Sequence, residues 1–234
     1  MQKLVRRCLA LFLAALFAVT CSIPVFAANT NTAVQLDVTY QQTDARGMLQ
    51  LVNDFRASDQ AWYWNEDDQT KTDLSGKLQP FTYDYKLEQV AMQRAAEIIL
   101  HYSHTRPDNT RCYTAYTEQG VTYSSAAENI AIGYTSAQAV FKAWREDAEM
   151  YEGQGHRRNM LSNNRSIGIA HVEYEGMNFW VQEFGTLYTP STTETTPNNS
   201  ETTVTIHVAS ELIQDVTITP VDALSLSVGD QVSL

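Results

Sequence analysis

Cysteine is scarce: Cys8, Cys21 and Cys112 are the only three in 234 residues. The first two fall in an N-terminal stretch that reads as an export signal, so the mature chain keeps one cysteine and has no intrachain disulfide. An exported domain of that kind must stand on its apolar core, which suits bacterial export better than a eukaryotic secretory route. Positive charge is also short. Sixteen Lys and Arg face 27 Asp and Glu, a formal net charge of −11, and this excludes nucleic acid as a natural partner. Apolar runs of membrane-spanning length are wanting too. The opening MQKLVRRCLALFLAALFAVTCSIPVFA has a basic start, an apolar centre and a Val-Phe-Ala ending, so residues 1–27 are expected to be a cleaved signal peptide. Pro24 and the small residues around it cut the run short of an anchor. Cleavage removes Lys3, Arg6 and Arg7, makes the mature chain still more acidic and leaves no transmembrane anchor.

What is present supports one domain with a real core: 44% of the residues are hydrophobic and 10% aromatic. Residues 28–43, rich in Asn, Thr and Gln, read as a flexible lead-in. Met48, Leu51, Val52 and Phe55 follow helical spacing and predict a helix over Asp44 to Arg56. Trp62 to Gln79 reads as a solvated acidic loop. Asp84 is a good N-cap for a second helix through Leu87, Val90, Ala91, Ala95 and Ile98. Pro107 and the Asp108-Asn109 pair then turn the chain. Residues 110–125 look irregular, and Ala126 to Ile132 should be a short strand. Ala137, Val140, Phe141 and Trp144 mark the apolar face of a third helix. His156 to about Leu161 reads as a helical turn. Ile167 to Tyr174 and Met177 to Phe184 predict a hairpin turning at Glu175-Gly176. Both hairpin strands carry apolar residues at successive positions, as a sheet covered by helices on both faces requires.

Four side chains are placed where a core alone would not need them. Glu128 precedes the apolar Ile130 to Ile132. His156 lies between Gly155 and two arginines. Asp147 continues the apolar stripe three residues past Trp144, so its carboxylate is expected to point inward and to need a partner. His104 follows the second helix, and with His101 it makes an i, i+3 pair that can share a metal. Cys112 has no base beside it in the sequence, and neither Ser124 nor Ser125 sits on a nucleophile elbow.

The motifs HYSHTRPDN, SSAAENIAIG and GQGHRRNML, in this order and with a tryptophan-bearing helix between the last two, resemble the CAP superfamily of cysteine-rich secretory, antigen 5 and pathogenesis-related proteins. The bacterial SCP-like branch is the most similar. The resemblance implies an α+β fold, a three-layer α-β-α sandwich, over residues 44–188. It also implies a cavity of two histidines and two acids, mapped to His104, Glu128, Asp147 and His156. Asp147 departs from the family's usual glutamate; being one methylene shorter, it reaches the cavity through water or leaves the role to Glu146 or Glu149. Ala127 stands where a glycine is common.

From Tyr188 the composition becomes Thr, Ser, Asn and Pro, so residues 189–203 read as an exposed linker. Residues 204–234 alternate apolar and polar and read as a partial β segment. Within it, Val216 to Leu234 resembles the opening strands of bacterial immunoglobulin-like domains of group two. That resemblance implies either a chain continuing past Leu234 or an orphan fragment of such a domain.

Two imidazoles and two carboxylates suit a divalent metal, zinc first. The alternative is a buried hydrogen-bonded network that fixes the fold. The family resemblance implies an exported, secreted or cell-surface module. Its cavity is expected to be metal-competent and to bind an extracellular or surface ligand, lipid or protein. An enzymatic role is not the leading expectation. The alternative is a secreted metal-dependent hydrolase acting on extracellular or cell-wall peptide material, recognisable by turnover that a chelator abolishes and zinc restores. A third alternative is a structural spacer whose cavity variants fold and function normally.

Overall fold

The computed structural model describes residues 31–210 and residue 212. The predicted signal peptide and the immunoglobulin-like resemblance at Val216 to Leu234 lie outside the described residues. The chain opens with β1 (Thr32–Tyr40) and α1 (Gln42–Ala57), then a small hairpin, β2 (Trp62–Trp64) and β3 (Lys71–Asp73), and the short β4 (Thr82–Tyr83). Then come α2 (Tyr85–Leu100), α3 (Thr114–Glu118), β5 (Tyr123–Ile132), α4 (Ala137–Trp144) and α5 (Gly155–Met160). Strands β6 (Ser166–Tyr174), β7 (Met177–Leu187) and β8 (Glu201–Val208) complete the order.

The main sheet runs β5-β7-β6-β1-β8, with β4 beside β6. All its pairings are antiparallel except β4 with β6. Strand β6 shares its second edge: β4 pairs at Ser166 and Ile167, and β1 at Val172 and Glu173. The β6–β7 turn is the expected Glu175-Gly176, with φ of 49° and 77°. Two positive φ values match the right-handed twist of a tight hairpin.

Helix α2 covers one face of the sheet. Ala91, Ala95 and Ile98 pack there on Ala170, Val172 and Val181. Its first turn is held by Asp84, whose side chain accepts from the backbone N–H groups of Lys86 and Leu87. Helices α1 and α4 cover the other face, where Met48, Val52, Phe55, Val140, Phe141 and Trp144 meet Ile167, Ile169, Trp180 and Phe184. The α+β class and helices on both faces of an antiparallel sheet agree with the expectation. Gly168 sets the spacing of the α2 layer. A Cβ there would lie 2.2 Å from the carbonyl carbon of Leu87 and 2.3 Å from the backbone nitrogen of Glu88, so only glycine lets α2 sit this close.

Two expectations need correction. Most of the expected lead-in, residues 28–43, is strand: Val34, Leu36, Val38 and Tyr40 alternate toward the core. The expected linker, residues 189–203, is tied to the domain along its length. Ser191 exchanges bonds with Tyr85 and Asp84, Thr195 accepts from Arg46, and Asn198 and Ser200 accept from the backbone of Gln42 and Tyr40. The described part of the partial β segment expected at 204–234 takes its strand partner from the domain itself: as the end of β8 it pairs with β1, whose register runs from Thr32 opposite Val208 to Thr39 opposite Glu201.

Candidate functional site

Strand β5 is an edge strand, and its alternation sends neighbouring residues to opposite faces. Glu128 faces α2; Asn129 faces the α1 side and bonds Gln182. Arg94 on α2 has a fully buried side chain. It reaches Glu128 through Nε, 2.7 Å from Oε2, and Nη2, 3.3 Å from Oε1. It also pairs with Glu97 at 2.7 Å, and Glu97 pairs in turn with Arg106, which binds Glu118. This chain of charges tethers the loop after α2 that carries His104. The Nδ1 of His104 is 2.7 Å from Glu128 Oε1, and the two side chains differ sharply in exposure, 59% for His104 and 1% for Glu128.

Glu183 sits opposite Glu128 on β7 and is completely buried. Its Oε2 accepts from the Tyr116 hydroxyl at 2.9 Å, while Oε1 has no conventional donor. Burial, and then the charge of Glu128, push the Glu183 carboxyl well above its ordinary range. For Glu128 burial acts upward as well, but the His104 hydrogen bond and the Arg94 guanidinium outweigh it and hold the carboxyl below its ordinary range. The pair therefore shares one proton. Glu183 carries it, beside an ionised Glu128.

His104 and Glu128 line a cavity of about 530 Å³ together with Arg111, Cys112, Tyr113 and Asn159. Cys112 is free and buried, and burial followed by the charge of Glu128 pushes its thiol up to about 12. It is therefore a neutral wall group at physiological pH rather than a thiolate nucleophile.

His156 is not among the walls of this cavity. It lies on α5, its ring tilted 37° to Trp144 with centroids 6.2 Å apart, and its Nδ1 bonds Glu146. Asp147 does not fill the expected inward position. Helix α4 ends at Trp144, and Glu146 takes a positive φ of 48°, which turns its carboxylate under α5. There Glu146 Oε2 accepts from the backbone N–H of Arg157 at 3.1 Å. Asp147 stays 44% exposed and pairs with Arg145 and Arg157. Of the four expected residues, the structure joins His104 to Glu128 and gives His156 to Glu146. Asn129 and Asn159 link these dyads across the β5 edge. Asn129 Nδ2 donates to the His156 carbonyl, and Asn159 Nδ2 donates to the Glu128 carbonyl.

Sequence reasoning missed Arg94 and Glu183. Arg94 lies four residues after Val90 on the apolar face of α2, and Gln182-Glu183 interrupt an apolar central strand. Both are buried ionisable side chains whose positions were readable.

The cysteine-rich secretory protein (CAP) family profile matches residues 49–184, which span α1 to β7 and every residue of both dyads. The chain belongs to this family. A similar curated relative is the uncharacterized protein YkwD of Bacillus subtilis (strain 168), 29% identical over 110 residues, 46% of this chain and 40% of that protein. This chain thus spans less than half the length of that relative. Among solved structures, an extracellular SCP-domain protein of Bacillus anthracis is 19% identical at a TM-score of 0.45, covering 61% of this chain and 40% of its own. An outer surface protein of Borrelia burgdorferi is 16% identical at a TM-score of 0.45, covering 67% and 99%. Within the CAP domain of the present chain, no three His, Cys, Asp or Glu side chains among the described residues are grouped to hold one metal ion. No helix among them is long and apolar enough to cross a membrane.

Proposed function

We propose that this chain is an exported, secreted or surface-displayed CAP module that binds an extracellular ligand in the His104–Glu128 cleft. One observation carries the reading: a buried, ionised Glu128, clamped by Arg94, orients an imidazole that is 59% exposed. A network serving the fold alone has no need to present that ring to solvent. Its Nδ1 is committed to Glu128, so Nε2 is the atom offered to the cleft. Arg111, Tyr113 and Asn159 supply further polar contacts on the wall.

The donor chemistry also supports metal competence. A carboxylate behind an imidazole is the usual arrangement behind a zinc-bound histidine. His104 and His156 each have one, Glu128 and Glu146 respectively. A zinc ion would be held through imidazole nitrogen, with water or ligand completing its shell, and would supply Lewis acidity there. The fit is chemical rather than numerical, because each dyad contributes a single free nitrogen. The hydrolase alternative has no favouring observation beyond this competence.

The test is calorimetric titration of the full chain with zinc at neutral pH, beside His104→Ala and Glu128→Gln. The reading expects saturable binding that His104→Ala removes and that Glu128→Gln weakens by about 10–100-fold, the usual effect of losing such a carboxylate. Binding indifferent to both substitutions would place the metal elsewhere.

A further inference from the structure

A second cavity, of about 480 Å³, lies between the end of α1, the segment joining β3 to β4, and the loop before β6. It shares no wall residue with the His104 cleft. Its walls carry Arg56, Lys77 and Arg165 and no carboxylate. In a chain with 27 acidic residues against 16 Lys and Arg, three cations on one acid-free cavity are a marked local reversal. None of the three takes part in an ion pair among the described residues.

Arg56 forms the floor at 2% exposure. Its Nε and Nη2 donate to the Gln79 carbonyl, and Nη1 donates to the carbonyls of Met160 and Ser162. Its guanidinium lies 3.8 Å from the Phe81 ring centroid. Every partner is neutral, so the charge is fixed, buried and uncompensated, at a cost a bound anion would relieve. Burial alone pushes this guanidinium down to about 10. One Nη2 hydrogen remains free. On the rim, Arg165, Thr82 and Asn163 have side chains that donate to no protein acceptor among the described residues, and Lys77 donates only to the Asp73 carbonyl.

We propose that this cavity is a binding site for a small soluble phosphate ester, its phosphate held by Arg165, Lys77 and the field of Arg56. Three cations match the double negative charge of a phosphate monoester. The Arg56 fork is already spent on carbonyls, so it serves a bound anion through one N–H and its charge and leaves the open Arg165 fork for the phosphate oxygens. The volume leaves room for a small organic substituent. This site does not depend on the ligand or metal assigned to the His104 cleft.

The experiment is calorimetric titration of the full chain in low-salt buffer with inorganic phosphate, glycerol 3-phosphate and acetate, in the wild type and in Lys77→Ala, Arg165→Glu and Arg111→Ala. Lys77 and Arg165 are exposed, so the fold should tolerate their replacement; melting curves check this. The proposal expects saturable binding of both phosphates, weaker binding of acetate, about a ten-fold loss in Lys77→Ala and no measurable binding in Arg165→Glu. Arg111→Ala, in the other cleft, should bind as the wild type does. Phosphate binding that survives Arg165→Glu or is lost in Arg111→Ala overturns the assignment, as does no saturation into the millimolar range. Sedimentation with anionic phospholipid vesicles without binding of glycerol 3-phosphate would also overturn it, since the anion would then be a lipid headgroup.

Discussion

Arg94 and Glu183 show how much of the site rests on two buried side chains outside the cleft wall. Arg94→Ala would leave Glu128 and Glu97 buried beside an empty space. Removing one partner of a buried ion pair typically costs about 3–5 kcal/mol, and denaturant unfolding should show a loss of that size. Glu183 makes a pH-dependent contribution whose sign follows from its raised pKa. Below the unfolded value of about 4.3 both folded and unfolded states hold the proton. As pH rises above it, the unfolded chain releases the proton and the folded chain keeps it, so Glu183 progressively lowers stability. Glu183→Gln stays neutral beside Glu128 and removes that titration. Its melting temperature should match the wild type near pH 4 and exceed it increasingly toward pH 8. A constant difference across that range would show that Glu183 is not the proton carrier. Neither residue was named from sequence, because a charge on an apolar face signals burial without naming its partner, and these partners come from distant elements.

At the scale of elements, α2 was the most legible, its apolar spacing and Asp84 cap both being local signals. The end of α4 was not: no glycine or proline marks residues 145–147, and Glu146 adopts a left-handed conformation that its sequence does not announce. That missed stop is why Asp147 was expected where Glu146 is found. Strands β1 and β8 each show period-two alternation, but their pairing joins residues 162 to 176 positions apart and leaves no local trace. Two predictions belong here. Gly168→Ala forces a methyl into the backbone of α2 and should cost about 1–3 kcal/mol or more by overpacking, measured by thermal or urea unfolding; an unchanged midpoint would mean that α2 can yield. Limited proteolysis should spare residues 189–203, since their backbone is bonded to α1, α2 and the start of the domain. A rapid cut leaving a product that ends near residue 188 would contradict the docking of β8.

For the whole molecule, the sheet holds two dyads at one edge strand, and a chain of buried charges fixes the more exposed imidazole. The family and its layer order were readable from three motifs in order, while the division of the four expected residues into two pairs emerged only from packing. The central claim is that His104 is presented as a ligand-binding group. Anomalous diffraction at the zinc edge from crystals of the full chain soaked in zinc tests this most directly. The account predicts a peak about 2.0–2.1 Å from His104 Nε2, the usual zinc–imidazole distance. Peaks confined to surface carboxylates, with none at His104, would contradict it.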